Sequence, residues 1–218
     1  MQRIPFQIIA LTGLILLVLP FVFYAVGFGL NGLRDTLPEP HYLQSDRAEA
    51  NGAIFNHMVL GGLITALVPL QLMRSVRRRF PQFHRWSGRF ITLAACVTAM
   101  AGLIYIGLRG TIGGLMMDLG FTLYGSLMLL AAIQTIRHAR AARFDDHHAW
   151  ALRLFWLILG SWLYRIHYGS WYAATGGLWS APDFSGGFDL VQNFAFYVPY
   201  LIGVEVYLAR KRYRVVVN

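Results

Sequence analysis

The sequence predicts an all-α, polytopic membrane protein: a bundle of about six transmembrane helices with both termini in the cytoplasm. Hydrophobic residues make up 56% of the 218 residues and charged residues only 13%, whereas soluble domains carry about 25% charged residues. Mean hydropathy is +0.49. A water-soluble fold of this size has no interior large enough for so much apolar surface. This composition therefore excludes an ordinary cytosolic enzyme, a disordered tail and a fibrous repeat.

Six apolar runs of roughly 18–24 residues can be marked, and each is long enough to cross a bilayer as a helix. The first follows only Met1, Gln2 and Arg3. It is too long for a signal-peptide core, and no small-residue cleavage site follows it, so we expect a retained helix. Pro20 is expected to kink that helix. The six runs cover residues 7–30, 53–73, 88–108, 117–136, 149–168 and 190–209.

The arginine distribution predicts the orientation of these spans. Of the 19 Lys and Arg residues, 15 fall on one side when alternate connections are assigned to opposite sides of the membrane. The positive-inside rule then places both termini and the basic segments 74–89 and 137–148 in the cytoplasm. The positive residues cluster between apolar spans, which suits anionic lipid headgroups and argues against nucleic acid as a partner.

The remaining connections are short, so the sequence predicts one integral membrane domain over residues 1–218 and no soluble pocket. Pro38 and Pro40 mark a loop between the first two spans. Residues 109–116 form a Gly-rich turn, and residues 169–189 are rich in the Trp and Tyr side chains typical of a membrane boundary. The single cysteine, Cys96, cannot form an intrachain disulfide and is expected to be a packing residue.

Ionisable residues inside a span are costly and point to candidate sites. His57 lies one turn into the second span, and Gly61 and Gly62 beside it allow close approach of a neighbouring helix or a flat ligand. Two interpretations of His57 stay open. It is either an axial haem ligand or quinone partner, or a buried histidine hydrogen-bonded across helices.

The stretch from His84 to Arg89 opens the third span and has two interpretations of its own. In one, His84 binds a metal centre or quinone, while Arg85 and Arg89 hold propionates or phosphates. In the other, the stretch is a basic interfacial anchor with Trp86 at headgroup depth.

The stretch from Asp145 to Arg153 opens the fifth span. Asp145 and Asp146 suit a helix N-terminus, where the helix dipole favours anions. His147 and His148 beside them are a weak divalent-metal pattern, and the order of residues is not that of a zinc protease. In the sixth span, Glu205 is expected to pair with Arg153, or else to act as a proton relay.

Several of these residues recur in a recognisable order. His57 is followed by Pro69-Leu70-Gln71, then by the HRxxGR motif at residues 84–89, the Gly113-Gly114 turn and the HxxWxxR motif of His147, Trp150 and Arg153; Arg165 closes the pattern. Over about residues 55–168 this resembles the bacterial predicted membrane proteins of domain-of-unknown-function family 2306, with one extra helix at each end.

The resemblance implies a multi-pass protein of the bacterial plasma membrane and a residue set rather than an activity. That set is His57, His84, His147, Arg153 and Arg165, while His148 and His167 lie outside it. A looser similarity is to four-helix membrane cytochromes b of the di-haem type. It implies an inner ligand pair of His84 and His147, and an outer pair of His57 with His167 or with a methionine, Met116 or Met117.

Three functions follow as hypotheses. The first is a membrane redox protein that binds haem b or a quinone through His57, His84 and His147 and passes electrons to a membrane partner. The second is a non-catalytic assembly or accessory factor whose motifs tie helices together. The third is a small proton-coupled transporter using Glu205, Arg165 and Asp118, which ranks lowest because no internal repeat is visible. Whether the protein is an enzyme stays open.

Overall fold

The computed structural model of the chain describes residues 6–37 and 48–217, and the regular secondary structure of these residues is all helix, with no β-strand. Pro38 and Pro40, used above to mark a loop, lie outside the described residues, as does Arg3. Two compact units divide the chain, Met1–Arg109 and Gly110–Asn218. The eight helices of the described part are α1 (Phe6–Leu33), α2 (Ala48–Leu72), α3 (Arg74–Arg79), α4 (Pro81–Arg109), α5 (Gly114–Arg140), α6 (Phe144–Thr175), α7 (Gly187–Ala195) and α8 (Val198–Val217).

Four of the described helices are long and apolar enough to cross a membrane, namely α1, α2, α4 and α5. Large apolar side chains along them, such as Phe23, Leu93 and Leu115, are not covered by protein, as expected where lipid is the solvent. Helices α6 and α8 lie where the fifth and sixth spans were predicted. Their sequences are more polar, because Trp, Tyr and His replace aliphatic side chains in α6 and a basic tail ends α8. The all-α membrane fold is confirmed, and the count of six spans stays a prediction.

In the first unit, α2 packs between α1 and α4. Small residues let α1 approach α2 closely. A Cβ on Gly29 would lie 2.7 Å from the carbonyl oxygen of Phe55, and a Cβ on Gly62 would lie 2.9 Å from a methyl of Val26. Glycines at a helix interface allow this backbone approach in membranes, where packing rather than the hydrophobic effect drives association.

The basic connection after α2 is partly helical, a feature that was not expected from the sequence. Met73 has an extended backbone and ends α2, and Phe80 is again non-helical, so Arg74–Arg79 forms a separate helix between them. Helix α4 then begins at Pro81 rather than near residue 88. Proline suits the first helical turn because its missing N–H would be unsatisfied there in any case.

In the second unit, α5 and α6 are antiparallel neighbours joined by a tight turn at residues 141–143. The Tyr124 ring of α5 lies over Gly160 of α6, where a Cβ would come within 2.7 Å of the ring. The Tyr124 hydroxyl donates a hydrogen bond to the carbonyl of Leu157 at 2.5 Å. As predicted, Asp145 and Asp146 lie in the first turn of α6.

The predicted sixth span is interrupted, so residues 190–209 are not one continuous helix. Helix α7 ends at Ala195 and α8 begins at Val198, with Phe196 and Tyr197 between them and fully buried. Pro199 contributes to the break, because it has no N–H to bond back to the carbonyl of Ala195.

Candidate functional site

His57 is half-buried on α2 and faces α4. Its ring Nδ1 lies 2.9 Å from the main-chain carbonyl oxygen of Thr98. Gly102, one turn further along α4, leaves space for the ring, since a Cβ there would lie 3.1 Å from Nδ1. Gly61 on the same face of α2 contacts α4 as well, where its Cβ would meet the Thr98 methyl at 3.6 Å. The predicted close approach of a neighbouring helix at this glycine is therefore present.

The other end of the α2–α4 pair carries the HRxxGR motif. Gln71 of α2 donates a hydrogen bond from Nε2 to Ser87 Oγ of α4 at 2.7 Å. His84 is half-buried on this side of α4. Arg85 and Arg89 are exposed, and the Arg89 guanidinium lies 4.9 Å from the centroid of the neighbouring Trp86 ring.

His57 and His84 lie at opposite ends of this helix pair. His57 is level with Thr98, which is 14 residues after His84 on α4. At 1.5 Å of rise per residue, the two imidazoles are separated by roughly 20 Å along the helix axis. The two histidines therefore cannot be ligands of one iron, and each would serve a different side of the membrane.

His147 of α6 repeats the contact seen at His57. Its Nδ1 lies 3.0 Å from the carbonyl oxygen of Thr135 on the antiparallel helix α5. Thr135 is buried, and its own hydroxyl bonds back to Ala131 at 2.7 Å. A carbonyl oxygen only accepts hydrogen bonds, so at both His57 and His147 the ring proton is on Nδ1 and the lone pair is on Nε2 in the neutral imidazole.

The rest of the HxxWxxR motif joins α6 to α8. Arg153 donates from Nε to Glu205 Oε1 at 2.6 Å and from Nη2 to Oε2 at 2.8 Å. Its guanidinium also lies 4.6 Å from the centroid of the Trp150 ring. The predicted pairing of Glu205 with Arg153 is confirmed, and it leaves the Arg153 guanidinium occupied on two sides.

Arg165 and Asp118 have local roles in the structure. Arg165 is exposed, and its Nη1 donates to the carbonyl of Ser161 in its own helix at 3.0 Å. Asp118 of α5 accepts a hydrogen bond from the main-chain N–H of Thr111 at 2.6 Å and so closes the Gly-rich turn before α5.

His167, near the end of α6, has both ring nitrogens against polar side chains. Nε2 lies 2.7 Å from the Tyr200 hydroxyl, and Nδ1 lies 3.2 Å from Oε1 of the buried Gln192. Use of His167 as an outer haem ligand would require one of these contacts to break.

Asp189 was not anticipated from the sequence. It is fully buried in α7, and its carboxylate accepts four hydrogen bonds, from the Tyr168 hydroxyl at 2.7 Å, Ser180 Oγ at 2.8 Å, the Ala181 N–H at 2.8 Å and the Gly186 N–H at 3.1 Å. These bonds hold residues 176–186 against α6 and α7. The spacing Gly186-x-x-Asp189 is an N-terminal capping pattern and was a usable signal for this role.

In the described part of the chain, the histidines and aspartates that suggested a divalent-metal site, at residues 145–148, do not belong to a cluster of metal ligands. Within residues 6–37 and 48–217, no group of three or more His, Cys, Asp or Glu side chains is placed to hold a metal ion. Near the α5–α6 turn, His138 Nδ1 lies 3.7 Å from Asp146 Oδ2, and Arg143 Nε lies 4.0 Å from the same oxygen.

The comparisons with known proteins give one match. A family model described as "Predicted membrane protein (DUF2306)" matches residues 54–202. The match begins close to the start of the resemblance described above and extends further towards the C-terminus, through α7 and into α8. No curated protein and no solved structure matches the chain.

Proposed function

The chain belongs to the DUF2306 family of predicted membrane proteins, and from this premise we propose that it is an electron-transfer protein that binds haem b or a quinone through intramembrane imidazoles. One observation carries the proposal. His57 and His147 each donate Nδ1–H to a main-chain carbonyl of the adjacent helix. Histidines that ligate metals commonly hold their second nitrogen in this way, which orients the ring and raises the basicity of Nε2.

The donor chemistry fits either cofactor. A neutral imidazole with a lone pair on Nε2 can ligate haem iron or accept a proton from a quinol hydroxyl. When bound, haem supplies one-electron transfer, and a quinone supplies transfer of electrons together with protons. His84, at the opposite end of the α2–α4 pair from His57, is the third candidate imidazole.

The arginines have different parts in this proposal. Arg85, Arg89 and Arg165 are exposed, and their charge would neutralise the propionates of a haem. Arg153 is held by Glu205 and Trp150, so we assign it to helix packing rather than to the cofactor. The electrons would pass to a redox partner within the membrane.

An absorption spectrum of the purified, dithionite-reduced protein tests the proposal, together with extraction of bound quinone. We expect a Soret band or an extracted quinone, and its loss in His57→Ala and His147→Ala. His148→Ala is the matched control, because His148 neighbours His147 but lies outside the motif. A colourless protein with no extractable quinone, even after haem feeding, would refute the redox function.

A second function is favoured by the contacts of the HxxWxxR motif. His147, Trp150 and Arg153 all bind groups of the protein itself, which suits a non-catalytic accessory factor whose motifs tie helices together. In that case His147→Ala and Arg153→Gln lower stability or the recovery of a partner protein, and no cofactor copurifies. Clean loss of a cofactor from a folded His147→Ala variant would exclude this alternative.

A transporter function through Glu205, Arg165 and Asp118 has no geometric support of this kind within the described residues. We place the protein in the bacterial plasma membrane, with both termini and the basic connections on the cytoplasmic side. Cysteine accessibility on either side of spheroplast membranes, with single cysteines introduced at residues 78 and 183, would test that orientation.

A further inference from the structure

A dense group of arginines lies at one end of the first unit. Six arginines on α3 and the first turns of α4 are exposed, and we call them the arginine patch: Arg74, Arg77, Arg78, Arg79, Arg85 and Arg89. Residues 50–117 contain no aspartate or glutamate. Among the described residues of this unit, the only carboxylates are Asp35 and Glu49, which lie after α1 and in the first turn of α2, at the other end of these helices. Among the described residues of this unit, no carboxylate therefore lies at the end of the helices that carries the patch.

Large aromatic side chains are interleaved with these arginines. Phe80, Phe83, Trp86 and Phe90 are exposed, with Trp86 at 69% of its surface. Residues 83, 86 and 90 share one stripe of α4 because helix positions three and four apart are neighbours. Exposed aromatic rings beside arginines are typical of the membrane–water boundary, where the ring contacts the acyl region and the guanidinium stays among headgroups.

The backbone holds α3 as a separate amphipathic turn. The non-helical residues Met73 and Phe80 flank it and separate it from α2 and α4. Met73 is buried and Val76 is half-buried, while the four arginines of α3 are exposed. Within α3, the side that carries Val76 is thus partly covered by protein, and the four arginines are exposed.

We propose that α3 and the start of α4 form a binding site for the phosphate groups of anionic phospholipids, such as phosphatidylglycerol or cardiolipin. Arginine binds phosphate oxygens through two parallel N–H groups, so several guanidiniums close together favour a headgroup with one or two phosphates. The aromatic stripe beside the patch favours a lipid over a nucleic acid or an acidic protein, because neither of these offers acyl chains to exposed Phe and Trp rings. The site shares Arg85 and Arg89 with the redox function proposed above, so the variants below change only arginines of α3, which that function does not use.

Native mass spectrometry of the full chain, released from nanodiscs of phosphatidylcholine with added cardiolipin or phosphatidylglycerol, tests the site. The variant combines Arg77→Gln, Arg78→Gln and Arg79→Gln. Each basic residue near an anionic surface contributes about fivefold in affinity, so we expect retention of the anionic lipid to fall by at least about tenfold. The corresponding triple Arg→Lys variant keeps the charge and should retain most of the binding.

The matched control removes the same charge elsewhere on the predicted cytoplasmic side, through Arg137→Gln, Arg140→Gln and Arg143→Gln. These arginines are also exposed, but Asp145 and Asp146 lie close to them in sequence. Retention of lipid by the control and loss by the α3 variant support the site. Equal loss in both variants, or no preference of the wild type for anionic lipid, overturns it.

Two further measurements keep the test decisive. Millimolar inorganic phosphate should neither bind to the wild type in neutral nanodiscs nor displace cardiolipin from nanodiscs that contain it. Binding or displacement would show a free-phosphate site instead and overturn the proposal. If the triple variant does not fold by circular dichroism, the single Arg78→Gln variant carries the test, with about a fivefold loss expected.

Discussion

Arg153 and Glu205 form a two-bond ion pair that joins α6 to α8, with Nε–Oε1 at 2.6 Å and Nη2–Oε2 at 2.8 Å. The arginine side chain is 18% exposed and the glutamate 55%. The arginine is therefore the more buried partner, and loss of the glutamate leaves a largely covered guanidinium without its carboxylate.

Glu205→Gln should lower the free energy of unfolding by about 1–2 kcal/mol, because the amide cannot replace both charged hydrogen bonds. Arg153→Gln should cost a similar amount. The double variant should cost less than the sum, since each single change already removes the same pair. Thermal unfolding in detergent measures all three. Strictly additive losses would show that the pair contributes no coupling.

Asp189→Asn should destabilise the loop of residues 176–186 by about 2–3 kcal/mol. Asparagine has one acceptor oxygen, and its NH₂ would face main-chain N–H groups that now donate to the carboxylate. Hydrogen exchange of that loop is the measurement. Asp183→Asn, an exposed change in the same loop, is the comparison and should raise the exchange of Ala181 and Gly186 much less, because among the described residues Asp183 bonds only to Ser185.

Hydrogen bonds from the hydroxyl and main-chain N–H of Ser185 hold the pKa of the Asp183 carboxyl below its ordinary value. A lowered folded pKa means that this contact stabilises the loop above the ordinary pKa, and that the stabilisation is lost as the pH falls through the folded value. Ser185→Ala should move the pKa back up. A carboxyl ¹³C titration by NMR measures this shift, and an unchanged midpoint would contradict the assignment.

Gly102→Ala should disturb His57. The added methyl would lie 3.1 Å from Nδ1, which forces the ring away from Thr98 and costs about 1–2 kcal/mol. Gly107→Ala in the same helix meets no atom within 4 Å and should be neutral or slightly stabilising, because alanine is the better helix former. Thermal unfolding compares the two variants. Equal effects would show that His57 has room to move.

Several contacts of the site could be predicted because helix geometry relates sequence spacing to position. Glu205 was expected to meet Arg153 because both lie in the cytoplasmic halves of their spans, and they do pair. Asp145 and Asp146 open α6 as their fit to a helix dipole indicated. The prediction of one continuous helix over residues 190–209 was wrong, because a single proline hardly changes the mean hydropathy of the run but interrupts the helix. The burial of Asp189 could not be read from composition, since its four donors come from two separate segments of the chain.

The sequence alone determined that the chain is helical and lies in a membrane. The length of an apolar run decides whether a helix can span the bilayer, and the distribution of arginines between the connections favours one orientation. Only the tertiary structure decided which nitrogen of His57 and of His147 carries the proton. That depends on one carbonyl oxygen of a neighbouring helix. The spacing of residues along the chain does not specify the axial register of two packed helices, and therefore does not specify which carbonyl faces each ring.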